Sequence, residues 1–195
     1  MRKAFIAALF LAVCAATSFA QEEYKKGEIF VGYSANEVDT NGGFRPAGVN
    51  NREHFNGVNV EATGNLTRYV GIQGDFSFHQ KDEHFTVAGA NATLRTRLSQ
   101  FMGGVKVQDN GTEVRFRPFA HALVGVAHAS GDFTVPGTSA SDTDNGLAVA
   151  LGGGIDFRVH KNVDVRAIQL DYNPNRFNGE TSNNFRIGVG LNFRF

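Results

Sequence analysis

The chain has 195 residues, one cysteine, no tryptophan, 18 phenylalanines and 23 glycines. Its 19 Lys and Arg balance 19 Asp and Glu without a basic run, which excludes the electrostatic footprint of a nucleic-acid binder. A single thiol closes no internal disulfide, and no apolar run reaches the about 20 residues a membrane-spanning helix needs.

Arg2 and Lys3 precede the apolar run AFIAALFLAV, and Ser18 and Ala20 flank Phe19 before Gln21. A basic start, a short apolar stretch and a small-x-small exit predict a secretory signal peptide over 1–20, cleaved after Ala20. Cys14 sits inside it, in LAVC, where Val13 is too large for lipoprotein processing. The domain expected to remain, 21–195, therefore carries no cysteine. Any entry into a membrane falls to strands.

Period-two alternation recurs eight times. IFVGYSA (29–35) aligns Ile29, Val31 and Tyr33. FNGVNVEATG (55–64) sets Val58, Val60 and Ala62 against Asn59, Glu61 and Thr63, and YVGIQGDFSF (69–78) sets Ile72, Phe76 and Phe78 against Gln73, Asp75 and Ser77. FMGGVKV (101–107) puts Phe101, Val105 and Val107 opposite Met102 and Lys106. FRPFAHALVGVAH (116–128) follows, with Pro118 near its start, where a missing ladder donor does least harm. LAVALGGGIDFRV (147–159) opposes Leu147, Val149, Leu151, Ile155 and Phe157 to Asp156 and Arg158. VDVRAIQLDY (163–172) changes parity near Arg166 and Ala167, which predicts a bulge. NNFRIGVGLNFRF (183–195) alternates without a fault to its last residue.

The connections run long, short, long, short, long, short, long. Eight antiparallel strands with that rhythm place all long loops at one rim, as in outer-membrane barrels with short periplasmic turns. The apolar rows carry essentially no charge, whereas Glu61, Asp75, Lys106, Asp156, Arg158, Arg186 and Arg194 fall on the opposite rows. A lipid-facing Lys or Arg at mid-membrane costs roughly 2–4 kcal/mol, so hydrocarbon outside enforces such sorting. Aromatics gather near strand ends. Tyr33, Phe76, Phe78, Phe101, Tyr172 and Phe185 belong to the external rim, and Tyr69, Phe116, Phe157, Phe193 and Phe195 to the periplasmic one, around an aliphatic belt. The expected fold is an all-β, eight-stranded antiparallel up-and-down transmembrane β-barrel, its last strand paired with its first because an open edge in lipid leaves backbone groups unsatisfied.

The cleavable signal, the eight strands and the terminal FRIGVGLNFRF resemble the small bacterial outer-membrane barrel proteins of the OmpA/OmpX type. The resemblance implies residence in the outer membrane, with the lipid bilayer as solvent. It also implies an assembly signal read by the barrel-insertion machinery at Leu191, Phe193 and Phe195. No peptidoglycan-binding segment follows the barrel in this sequence, so the likeness is to barrel-only members.

Chemistry is sparse. There is no nucleotide loop, zinc-protease helix or nucleophile elbow, so no catalytic residue, metal or cofactor is expected. Some small barrels are lipid-modifying hydrolases with a Ser/His pair. Here His79 and His84 in HQKDEH read as a solvated loop, and His121 as an interior hydrogen-bonding residue. Glu61, Asp75, Lys106, Asp156, Arg158 and Arg186 form the candidate constellation. Read structurally it is an ion-pair network filling the lumen, since buried charges are tolerated only when paired. The alternative is a narrow ion path, which eight strands leave little room for. Phe44, Phe133 and Phe177 sit in the long polar loops, either as contacts for an extracellular ligand or folded back on the rim. The segment HFTVAGANATLRTRLSQ (84–100) suggests either extensions above the membrane or an extra hairpin making ten strands. Leu94 and Leu98, out of phase with Phe101, favour a break in the strand. The function expected is a structural and surface-interaction role through the external loops. A narrow pore is the alternative, and a lipid A-modifying hydrolase a more distant one.

Overall fold

In the computed structural model the described residues are 24–39, 52–87, 90–177 and 179–195. Residues 1–20, expected to be a signal peptide, with Cys14, and Phe44 lie outside them. Ten strands follow in chain order: β1 (Gly27–Asp39), β2 (Arg52–Asn65), β3 (Val70–Val87), β4 (Ala90–Gln108), β5 (Phe116–Val135), β6 (Thr138–His160), β7 (Val163–Tyr172), β8 (Asn175–Phe177), β9 (Glu180–Ser182) and β10 (Phe185–Arg194). Eight of them close a ring, each pairing antiparallel with its neighbours in the order β1-β2-β3-β4-β5-β6-β7-β10 and back to β1. The seam runs from Glu28 opposite Arg194 to Glu37 opposite Phe185. Beyond it Gly27 and Phe195 exchange backbone hydrogen bonds of 2.9 and 3.0 Å, so the last residue is tied into the sheet.

Alternation sorts the side chains as the sequence predicts, with the polarity of a water-soluble protein reversed. Val31, Phe101 and Val124 face outward, 47, 65 and 56 % exposed, while their neighbours on the inner rows are buried. Among the described residues 28 buried side chains are polar or charged and only 10 are hydrophobic. No aqueous solvent would select that arrangement. Hydrocarbon around the ring does, because each outward apolar side chain then stays out of water without any packing partner in the protein. The aromatic rims form cross-strand pairs: Phe76 stands opposite Phe101, Phe116 lies 5.4 Å from Phe157, and Tyr172 lies 5.5 Å from Phe185.

The expected bulge is present. Ile155 pairs with Ile168 and Asp156 with Arg166, leaving Ala167 unopposed. Ala167 and Ile168 both face outward, so Asp164, Arg166, Gln169 and Asp171 all face the lumen despite the change of parity.

The expectation of a break near Leu94 and Leu98 is wrong. β3 and β4 continue as one antiparallel ladder as far as Val87 opposite Ala90, and β5 and β6 do the same to Val135 opposite Thr138. A turn through Pro136 and Gly137 closes the second hairpin. Its Gly137 takes φ +88°, a conformation that glycine adopts freely at the third position of a type II turn after proline. Leu98 is out of phase because it faces inward. With Met102, Leu123, Ala127, Ala148 and Ala150 it forms an apolar cluster inside the outer end of the ring. Two strands beyond the eight do exist, but not at 84–100. They are the β8–β9 hairpin of the last loop, laid against Leu147 and Ala148 of β6.

Three short turns close the opposite rim. The Thr67 hydroxyl accepts hydrogen bonds from the Tyr69 and Val70 amides at 3.2 and 3.0 Å. Arg68 grips Asp109 of the next turn through Nε at 2.7 Å and Nη2 at 3.1 Å. That grip holds the Asp109 carboxyl below the usual carboxylate range.

Candidate functional site

The inward rows of the strands build one continuous polar network along the lumen. Nearest the external end, Arg186 of β10 binds both oxygens of Asp75 on β3 (3.0 and 2.9 Å) and reaches Asp171 on β7 at 2.9 Å. Asp171 also meets His121 Nε2 at 2.8 Å and accepts from Gln169 at 2.8 Å. Gln169 donates in turn to Glu61 at 2.9 Å. Arg166 then bridges Glu61 at 2.7 Å and Asp156 at 2.8 Å. Asn192 spans Asp156 (3.3 Å) and Glu28 (3.2 Å), and Glu28 takes Lys106 and Arg117, both at 2.6 Å. Arg117 also binds Asp164, which lies 3.6 Å from Arg194.

Six carboxylates from five strands are thus held by cations from β4, β5, β7 and β10. Buried ions are costly to desolvate, and geometry with more than one partner per carboxylate is what offsets that cost. The Arg166 guanidinium is further sandwiched between the inward rings of Phe30 and Phe119, 4.0 and 4.2 Å from their centroids.

Of the residues expected in this constellation, Glu61, Asp75, Lys106, Asp156 and Arg186 are all buried members of it. Their pairing differs from the simplest reading. Glu61 and Asp75 are directly opposite, but Lys106 lies opposite Gly71, roughly 13 Å further down β3, and therefore serves Glu28. Arg158 is a correction. Near the end of β6 its half-buried side chain donates to the carbonyls of Gly111 (3.0 Å) and Thr112, bracing the short turn after β4 instead of pairing with a carboxylate. Glu28, Arg117, Asp164, Arg166 and Asp171 were missed. Simple parity would have found Glu28, Arg117 and Asp164, and the bulge, once expected, places Arg166 and Asp171 on the same face. Leu191, Phe193 and Phe195 stand outward on the lipid side, 43, 43 and 63 % exposed.

The histidines separate. His79 is buried on the inner face, its Nε2 2.9 Å from the Ser34 hydroxyl, while His84 stands exposed beside Thr93 on the outer face. Residues 79 and 84 differ in parity, so a shared site was never available to them. The Ser34–His79 contact has the atoms of a nucleophile and base, but His79 Nδ1 has no hydrogen-bond partner and both side chains are fully buried. Nothing orients the ring as a base.

Above the polar network, between the external ends of β1, β2, β4 and β5 and the β8–β9 hairpin, lies a cleft of about 220 Å³. Val38, Phe55, Leu98, Ala129 and Phe177 line it. Of the loop aromatics, for which ligand contact and folding back on the rim were both open, Phe177 takes the second course, turned inward over the mouth and packed on the Leu98 cluster.

A closed antiparallel ring that is polar within and apolar without defines a membrane-spanning β-barrel. Residues 5–195 match the family model described as outer membrane protein beta-barrel domain, and the chain belongs to that family; it is an outer-membrane protein. The fold is shared with Ail, the attachment invasion locus protein of Yersinia pestis, solved with the heparin analogue sucrose octasulfate. That match has 18% identity and a TM-score of 0.62, over 88% of this chain and 100% of the other. A major outer membrane protein of Thermus thermophilus is similar at 13% identity and a TM-score of 0.53, over 86% of this chain and 99% of the other. Neisserial surface protein A is similar at 14% identity and a TM-score of 0.52, over 89% of this chain and 100% of the other. At such identities the likeness is one of fold. No curated protein matches the sequence.

Proposed function

We propose that this outer-membrane barrel is not an enzyme and works in envelope structure and surface contact, meeting its extracellular ligand through the parts of β3–β6 that project past the apolar belt. The observation that carries this reading is the change of the outward rows at Phe78, Phe101, Val126 and Leu147. Beyond them the same strands present Asp82, His84, Arg95, Arg97, His128, Thr143 and Asn145, a surface made for water. Ion pairs stiffen this surface: Arg95 grips Asp82 at 2.9 Å and Arg97 reaches Asp132 at 2.8 Å. Two hairpins held rigidly above a membrane are contact surface with little conformational entropy left to lose on binding. The filled lumen is the reason the pore is not preferred, and the unoriented His79 the reason the hydrolase is not. Delivery follows the same reading: export by the segment 1–20, then insertion by the barrel-assembly machinery reading Leu191, Phe193 and Phe195.

The test is to shorten the hairpins with two-residue Asn-Gly turns in place of residues 82–95 and 132–141, and to compare bacteria displaying the two forms. Adherence to immobilised extracellular matrix should fall at least severalfold, while the membrane fraction keeps its heat-modifiable gel migration. Unchanged adherence would leave envelope structure as the whole role. A lipid A profile altered by overexpression of the intact protein would reinstate the hydrolase.

A further inference from the structure

The cleft at the external mouth is closed below by amides, and their hydrogen bonds fix which way each one points. The Val149 carbonyl accepts from Asn173 Nδ2 at 3.2 Å, so Asn173 turns Oδ1 toward Gln100. Gln100 must then present Nε2, which donates to Asn173 Oδ1 at 2.7 Å and to Asn175 Oδ1 at 2.9 Å. Asn175 has therefore spent its acceptor and keeps its donor. That side chain lines the cleft, is 1 % exposed, and its Nδ2 has no partner. A buried N–H without an acceptor is costly, and it supplies a strong preference for a ligand that brings one.

The rest of the cleft sets the ligand's body. Val38, Phe55, Leu98, Ala129 and Phe177 supply hydrocarbon, and Thr96, Arg97, Ser182 and Asn184 complete the wall. Arg97 at the edge is already neutralised by Asp132 at 2.8 Å, so no charge on the ligand is called for. A dry apolar cavity of about 150 Å³ is enough for benzene, and drug-sized ligands occupy about 300–1,000 Å³. The cleft's roughly 220 Å³ suits a ring-sized body with one small substituent.

We propose that this cleft is a binding site for small uncharged carbonyl compounds with a ring-sized apolar body, held by a hydrogen bond from Asn175 Nδ2 to the carbonyl oxygen. The filled lumen beneath makes it a terminal pocket. The inference goes beyond the surface-contact reading and stands or falls separately from it.

The experiment uses the full barrel in lipid nanodiscs, with empty nanodiscs as the partition control, and three probes: acetophenone, ethylbenzene (the same shape without the oxygen) and benzoate. Acetophenone should bind saturably and shift the Asn175 side-chain amide resonances. Ethylbenzene should bind about tenfold more weakly, in keeping with the loss of one hydrogen bond. Asn175→Leu should remove that difference, and Leu98→Phe, which fills the cleft but leaves Asn175 in place, should abolish binding of both. Heat-modifiable migration of each variant reports that the barrel is intact. Three results would overturn the proposal: no saturable binding to the intact barrel, equal acetophenone binding with and without Leu98→Phe, or benzoate bound more tightly than acetophenone.

Discussion

Arg186 shows how much rests on single side chains in this barrel. It is buried between Asp75 and Asp171 and makes charge-assisted bonds to both. Arg186→Leu strands two carboxylates in the lumen and should destabilise the folded state by about 3–5 kcal/mol, read as a drop in the urea midpoint of the heat-modifiable band. Adding Asp75→Asn and Asp171→Asn should recover much of the loss, since the penalty is uncompensated charge. A midpoint unmoved by Arg186→Leu would mean that the network does not support the fold. At this scale the sequence was legible through parity, which put Glu61, Asp75, Lys106, Asp156, Arg186 and Arg194 on rows opposite the lipid face. Parity did not disclose partners. Those depend on the stagger of strands around a closed ring, as the pairing of Lys106 on β4 with Glu28 on β1 shows. Nor did it disclose Phe30 and Phe119, whose apolar rings lie on polar rows because Arg166 needs faces to stack on.

For the strands, legibility followed solvent contrast. β7 and β10 separate lipid from lumen along their whole length, and their boundaries and the bulge could be read directly. The outer halves of β3–β6 carry polar residues on their outer face and a mixed mouth on the inner one, so alternation fades and the strands looked like loops. The β1–β10 seam depends on close approach. Gly32 and Gly190 stand opposite each other under the ring of Phe30. A Cβ at Gly190 would overlap the Val31 carbonyl and come within 2.5 Å of Gly32 Cα, backbone that cannot yield. Two residues earlier, a Cβ at Gly188 would meet nothing nearer than 3.7 Å. Gly190→Ala should therefore cost about 1–3 kcal/mol and lower the folded fraction in refolding into lipid, whereas Gly188→Ala should be nearly silent. Equal behaviour of the two would show that the seam tolerates more separation than its register implies.

The whole molecule is a plugged cylinder. An eight-stranded interior is just wide enough for side chains, and here Arg117, Arg166, Arg186 and Arg194 are among the largest side chains that fill it. Purified protein in planar bilayers should give no discrete conductance steps, and resolved unitary steps from the pure protein would restore the ion path as the better reading. The closed eight-stranded ring was legible because a bilayer imposes it on every strand alike. The external mouth was not, since its apolar cluster and its cleft are assembled from residues far apart in sequence with no period in common.

The charged interior also bears on how the protein is made. Glu28, from the first strand, finds its counter-ions on the fourth and fifth, with a third contact to Arg194 on the last. An unfinished sheet lowered into hydrocarbon would bring lone ions with it, at several kcal/mol apiece. The closed ring is thus the first state in which Glu28 has all of these counter-ions, and hydrocarbon favours it over any half-built sheet.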